Sequence, residues 1–154
     1  MTWFIWTIRN TESEISEKLI SLWIELNKHA DPSDETGMSV LSRLCMWSVF
    51  VDESNDQSME LLLSAAPFAN LEHDAYVLIE ALRRLVDPYP DQVADIFIRM
   101  LIDSAPTYKQ DDIEYVISKL FEQGGETRQK ANTICDIYIE YGVGFPVEIK
   151  ARFA

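Results

Sequence analysis

The sequence has little of several things, and each scarcity excludes something. Of its 154 residues only two are cysteines, Cys45 and Cys135, too few for a disulfide scaffold or a cysteine-based zinc site. The two histidines, His29 and His73, stand far apart in the chain, so the helical pair at i, i+4 that holds a catalytic zinc is absent. Five glycines include one adjacent pair, Gly124-Gly125, and no Gly-rich loop able to cradle a phosphate. No Gly-x-Ser-x-Gly elbow presents a serine nucleophile. Basic residues are outnumbered 26 to 13, which leaves a net charge of −13 and a pI of about 4.4. Binders of nucleic acid and of anionic membranes carry basic patches instead. No apolar run approaches the roughly 20 residues that a membrane-spanning helix needs, and the N-terminus lacks the basic region and small-residue cleavage site of a signal peptide. Together these absences predict a cytoplasmic chain that is not an enzyme, uses no cofactor and binds no metal.

What the chain does have is helical patterning. A hydrophobic share of 47% and a charged share of 25% are ordinary globular values, and the length fits about one domain. Residues 1–10 contain Trp3, Phe4 and Trp6 and read as an apolar tail packed on the first helices. The alternative is that they docked on a part of a longer protein. Residues 11–154 then read as a single helical domain. Thr11 to Glu14 has the form of a capping box, followed by Ile15, Leu19, Leu22, Trp23 and Leu26 at the spacing of one buried stripe. Asp31-Pro32 closes that helix and opens a second, with Val40, Leu41, Leu44, Trp47 and Val51 on one face. This second helix is apolar nearly all round, which predicts an enclosed position. Ser54 to Gln57 starts a third helix, Asn70 caps a fourth, and Pro90 opens a fifth. Thr107 with Gln110 reads as a capping box for a sixth, which Gly124-Gly125 ends, and a seventh runs from about Thr127 to Tyr141. Nothing alternates with period two long enough to make a strand. The prediction is all-α, about seven helices in antiparallel pairs.

The second half repeats itself. Ala66-Pro67 recurs as Ala105-Pro106 and Tyr76-Val77-Leu78 as Tyr115-Val116-Ile117, both at an offset of 39 residues. Asp95-Ile96-Phe97-Ile98 recurs as Asp136-Ile137-Tyr138-Ile139 at an offset of 41. Helix pairs repeating at about 40 residues resemble the HEAT and armadillo families. The resemblance covers about half the chain and implies an α-solenoid with pairs at 70–104 and 109–142, neighbouring pairs sharing one core. A globular helical bundle is the alternative architecture. The stretch Leu82 to Pro90 with Lys130 to Cys135 also resembles helical C-terminal tails of large multidomain bacterial proteins, anti-phage defence proteins among them. That resemblance implies a bacterial source and a sensing or scaffolding role, and it transfers no catalytic residue.

Individual side chains assemble no chemistry. Both cysteines sit within apolar helical runs and read as small hydrophobes. Asp87, Asp91 and Asp95 are spaced by four, and the segment 51–100 holds 10 acidic and 3 basic residues, a net charge of −7. Such carboxylates belong in the first turns of helices, where the dipole favours them. They can also steer a basic partner. The primary expectation is therefore a non-catalytic protein–protein interaction or scaffolding module. The alternative is a small acidic inhibitor or immunity protein that binds a basic protein such as a nuclease through Asp87, Asp91 and Asp95. In either case the partner is a protein, not nucleic acid or membrane.

Overall fold

A computed structural model describes residues 13–49 and 56–154. Among these residues the regular structure is helical throughout, eight α-helices and one 3-10 turn with no strand. Contacts group the chain into two compact units, Met1–Ala69 and Asn70–Ala154, where the sequence suggested one domain over 11–154.

Unit one contains α1 (Ser13–His29), α2 (Glu35–Ser48), α3 (Asp56–Ala65) and the 3-10 turn Ala66–Phe68. The three helices pack on one another around Ile20, Trp23, Leu41, Leu44, Cys45, Leu61 and Leu62. The rings of Trp23 and Trp47 lie 6.0 Å apart and tilted. The stripe expected on α1 is corrected here. Ile20 and Trp23 are buried, whereas Leu22 and Leu26 are 55% and 40% exposed. Two apolar stripes compete on this helix, and a polar bond marks the inner one: Asn27 Nδ2 donates to Ser64 Oγ on α3 at 2.9 Å. The cap of α2 is also corrected. Asp34, in extended backbone, accepts from the Thr36 amide at 2.7 Å, while Asp31 accepts from the Ser33 amide and hydroxyl within the preceding turn. The capping box at Thr11, the residues Ser54 and Asn55, and the tail 1–10 lie outside the described residues.

Unit two contains α4 (Ala75–Leu85), α5 (Pro90–Met100), α6 (Gln110–Gln123), α7 (Gly125–Glu140) and α8 (Phe145–Arg152). Pro90 occupies the first turn of α5, where a missing amide costs nothing. Two expected caps do not form. α4 starts at Ala75, because the amides of His73 and Asp74 bond the Asn70 carbonyl and close a turn first. α6 starts at Gln110 behind Lys109, whose backbone is left-handed (φ 59°, ψ 46°), so Thr107 does not cap it. The predicted stop after α7 is a Schellman motif: Gly142 at φ 79°, its amide bonded to the Ile139 carbonyl and the Val143 amide to the Tyr138 carbonyl. Beyond it lies α8, which periodicity does not predict. It packs on α6 and α7, and the Phe153 ring stacks on Phe121 at 5.0 Å.

Within unit two, α4 packs on α6 and α5 on α7, in addition to the contacts of α4 with α5 and α6 with α7. First helices therefore meet first helices, and second meet second. Leu78 and Ile117, at matching positions of α4 and α6, are both buried. Phe97 and Tyr138, at matching positions of α5 and α7, are fully buried and meet edge to face at 6.2 Å.

Candidate functional site

Two surfaces of unit two gather the polar side chains, one on α4 and α6, the other on α5 and α7. On the first, tyrosines, cations and carboxylates interleave. The Lys109 ammonium sits 3.7 Å from the Tyr76 ring centroid and reaches Glu80 at 3.2 Å and Asp112 at 3.3 Å. Asp112 also accepts from Arg83, and the Arg83 guanidinium lies 4.7 Å from the Tyr115 ring centroid. Tyr115 in turn donates to Asp87 at 3.3 Å. A lysine with left-handed backbone carries a strain on the order of 1 kcal/mol, and these contacts offset it.

The electrostatics of this ladder have a sign that titration can check. Partial burial works against the charge of Asp112, but its bonds from Arg83 and Lys109 win and hold its carboxyl below the usual 3.8. A folded-state pKa below the unfolded value means that the stabilisation is present above pH 3.8 and is lost as pH falls through the folded value. Asp112→Asn should therefore flatten the acid limb of a plot of melting temperature against pH. An unchanged acid limb would show that the ladder contributes nothing to acid stability.

The three carboxylates singled out in the sequence are placed on the same unit and bonded within it. Asp87 follows α4 and faces Tyr115. Asp91 and Asp95 stand one turn apart on α5 and both reach α7, Asp91 accepting from the Thr127 hydroxyl and Asp95 pairing with Lys130 at 2.9 Å. Desolvation opposes the charge of Lys130, yet the Asp95 bond and its neighbours raise its pKa. The structure thus gives each aspartate a partner inside the chain. Asp136, the counterpart of Asp95 at the 41-residue offset, likewise pairs forward with Lys150 of α8 at 2.6 Å. A pair of this exposure contributes about 0.2–1 kcal/mol. Lys130→Met should lower stability by no more than that, with the difference shrinking at high salt. A larger, salt-insensitive loss would show that the pair with Asp95 is worth more than its exposure implies.

The remaining reactive groups are quiet. Both cysteines are free and buried, and burial pushes the Cys135 thiol up to about 12, away from the thiolate that a nucleophile needs. Burial also raises the pKa of the Tyr138 phenol, which donates to the Pro106 carbonyl at 3.0 Å. His29 and His73 are exposed. Among the described residues no three His, Cys, Asp or Glu side chains gather as metal ligands.

Sequence reasoning missed the ladder of Lys109, Arg83 and Asp112 and also a cleft of about 370 Å³ where α5 and α7 end. Ile98, Leu101 and Ile102 line one side and Ile137, Glu140 and Tyr141 the other. Ile102 is 57% and Tyr141 47% exposed, and the Tyr141 hydroxyl donates to the Ile102 carbonyl at 3.2 Å. The periodic pattern marks Ile98 and Ile137 only as helix-face residues, and Ile102 follows α5, so no local signal joins them. No family model, no curated protein and no solved structure matches the chain.

Proposed function

We propose that the chain is a non-catalytic protein–protein interaction module in which the helix pairs of unit two, α4 with α5 and α6 with α7, are successive HEAT-like repeats. The observation that carries this reading is the agreement between sequence repeat and packing. Three residue pairs at offsets of 39 and 41 take the same roles: Leu78 and Ile117 are both core, Phe97 and Tyr138 are both core, and Asp95 and Asp136 each hold a lysine of a later helix. Stacked pairs of this kind present an extended face whose side chains select a partner. The quiet chemistry of the cysteines and histidines fits binding rather than turnover.

Affinity capture from the native host tests the proposal. The folded chain should retain a saturable protein partner that the urea-unfolded chain does not. Equal retention by both, or no retention, would overturn it. The same experiment separates the alternative of an acidic inhibitor acting through Asp87, Asp91 and Asp95. Those carboxylates are engaged within the chain, so the variant with all three changed to asparagine should keep the partner. Loss of the partner with that variant, at low salt and with the fold intact, would favour the inhibitor.

A further inference from the structure

We propose that the cleft between the ends of α5 and α7 receives an apolar anchor side chain carried on a basic, amphipathic segment of a protein partner. This rests on the interaction-module reading and adds the partner's chemistry to it.

Two observations point to that occupant. The first is the floor. Ile98, Ile102, Ile137 and Tyr141 offer an apolar concavity with Ile102 and Tyr141 about half exposed, near the small end of the range for ligand pockets. The second is the charge around it. Unit two has 15 acidic and 9 basic residues, and all of its cations except Arg152 have partners within the chain. Glu140 lines the cleft, and Asp103 directly follows Ile102; both lack an ion pair among the described residues. Asp136, one turn before Glu140, is neutralised by Lys150, and Glu140 and Asp103 outnumber Arg99, the cation nearest in sequence to Ile98 and Ile102. The charge left to a visitor at this rim is therefore negative. An apolar side chain flanked by lysine or arginine fits both the floor and the rim, whereas an acidic or wholly polar segment fits neither.

The test is a titration of the folded chain with a synthetic leucine–lysine amphipathic peptide about four helical turns long, followed by amide chemical shifts and by fluorescence of a label on the peptide. Shifts should gather at Ile98, Ile102, Glu140 and Tyr141. Ile102→Arg should weaken binding about tenfold or more, the scale set by one buried apolar side chain. Glu140→Gln should weaken it about threefold at low salt, and less as salt rises. Leu22→Arg, at an exposed apolar site of unit one, should leave affinity unchanged. The peptide with glutamate for lysine, or glutamine for leucine, should bind at least about tenfold more weakly. Ile102 and Glu140 are both exposed, and circular dichroism confirms that the variants fold. The proposal is overturned if the peptide does not bind, if shifts spread over the acidic surface without gathering at the cleft, or if Ile102→Arg binds like the unaltered chain. It is equally overturned if the chain alone self-associates and Ile102→Arg abolishes that, which would give the cleft to a second copy. Any of these results leaves the interaction-module reading standing if the native partner is still captured. Loss of capture from the folded chain is what removes that reading.

Discussion

Tyr138→Ala should lower the stability of unit two by about 3–5 kcal/mol, the range for deleting a large aromatic side chain from a core. Tyr138 is fully buried, meets Phe97 edge to face at 6.2 Å and Phe145 at 5.5 Å, and thereby ties α5, α7 and the start of α8 together. Deleting the ring opens a cavity that three helices line, and helices held at both ends by caps and turns collapse poorly into it. Tyr138→Phe separates the ring from the hydroxyl. It keeps the packing and loses only the 3.0 Å bond to the Pro106 carbonyl, so it should cost about 0.5–1.5 kcal/mol. Urea unfolding followed by circular dichroism measures both. A loss below about 1 kcal/mol for the alanine variant would contradict a well-packed aromatic centre. The placement of chromophores helps to assign the change, because all six tyrosines lie in Asn70–Ala154 and all four tryptophans in Met1–Ala69. The emission of Trp23 and Trp47, which meet in unit one, therefore reports on that unit.

That division also shows how far the sequence could be read. Helix type was legible from α1 to α7, because the three-and-four spacing is repeated in each of those segments and proline and glycine stop it where α5 begins and α6 and α7 end. Buried positions were legible where only one face is apolar. On α4, Leu78, Ile79, Leu82 and Leu85 are all core. On α1, two apolar faces compete, and the buried one is marked by Asn27 meeting Ser64, a contact 37 residues away. Caps failed for a related reason. Asn70, Thr107 and Asp31 are all residues that can serve either a helix start or a tight turn, and at Asn70 and Asp31 the turn took them. The helix α8 offers only Pro146 and Ile149 to the core, too few positions for a period to emerge. Of the three aspartates only Asp91 lies in a helical first turn, and their partners Tyr115, Thr127 and Lys130 are 28 to 36 residues away. The cleft was not legible at all, since its walls come from the ends of helices that are neighbours only after folding.

Gly37→Ala should destabilise unit one by about 1–3 kcal/mol, against the ordinary trend for a helix. Alanine in a helix interior is favoured over glycine by about 1 kcal/mol, and Gly37 lies within α2 with no left-handed backbone to protect. The reason is space. A methyl group at Gly37 would stand 1.8 Å from the Asp31 carbonyl oxygen and 2.6 Å from its carbon. Both are backbone atoms, so no rotamer change relieves the clash, and the turn from Asp31 to Asp34 must move. That turn carries the cap of α2, in which Asp34 accepts the Thr36 amide, and loss of such a cap costs about 0.5–2 kcal/mol. Overpacking and uncapping therefore act together, and the propensity gain is too small to offset them. Gly144→Ala is the matched control. Its backbone is right-handed helical, and nothing lies within 4 Å of an added methyl, so it should be neutral or stabilise by about 0.4–1 kcal/mol. Tryptophan emission during thermal unfolding reads the first variant, and circular dichroism reads the second. A Gly37→Ala chain with an unchanged or higher tryptophan-detected midpoint would mean that the Asp31 turn yields without cost, and that the close approach of this turn to α2 contributes nothing to the stability of unit one.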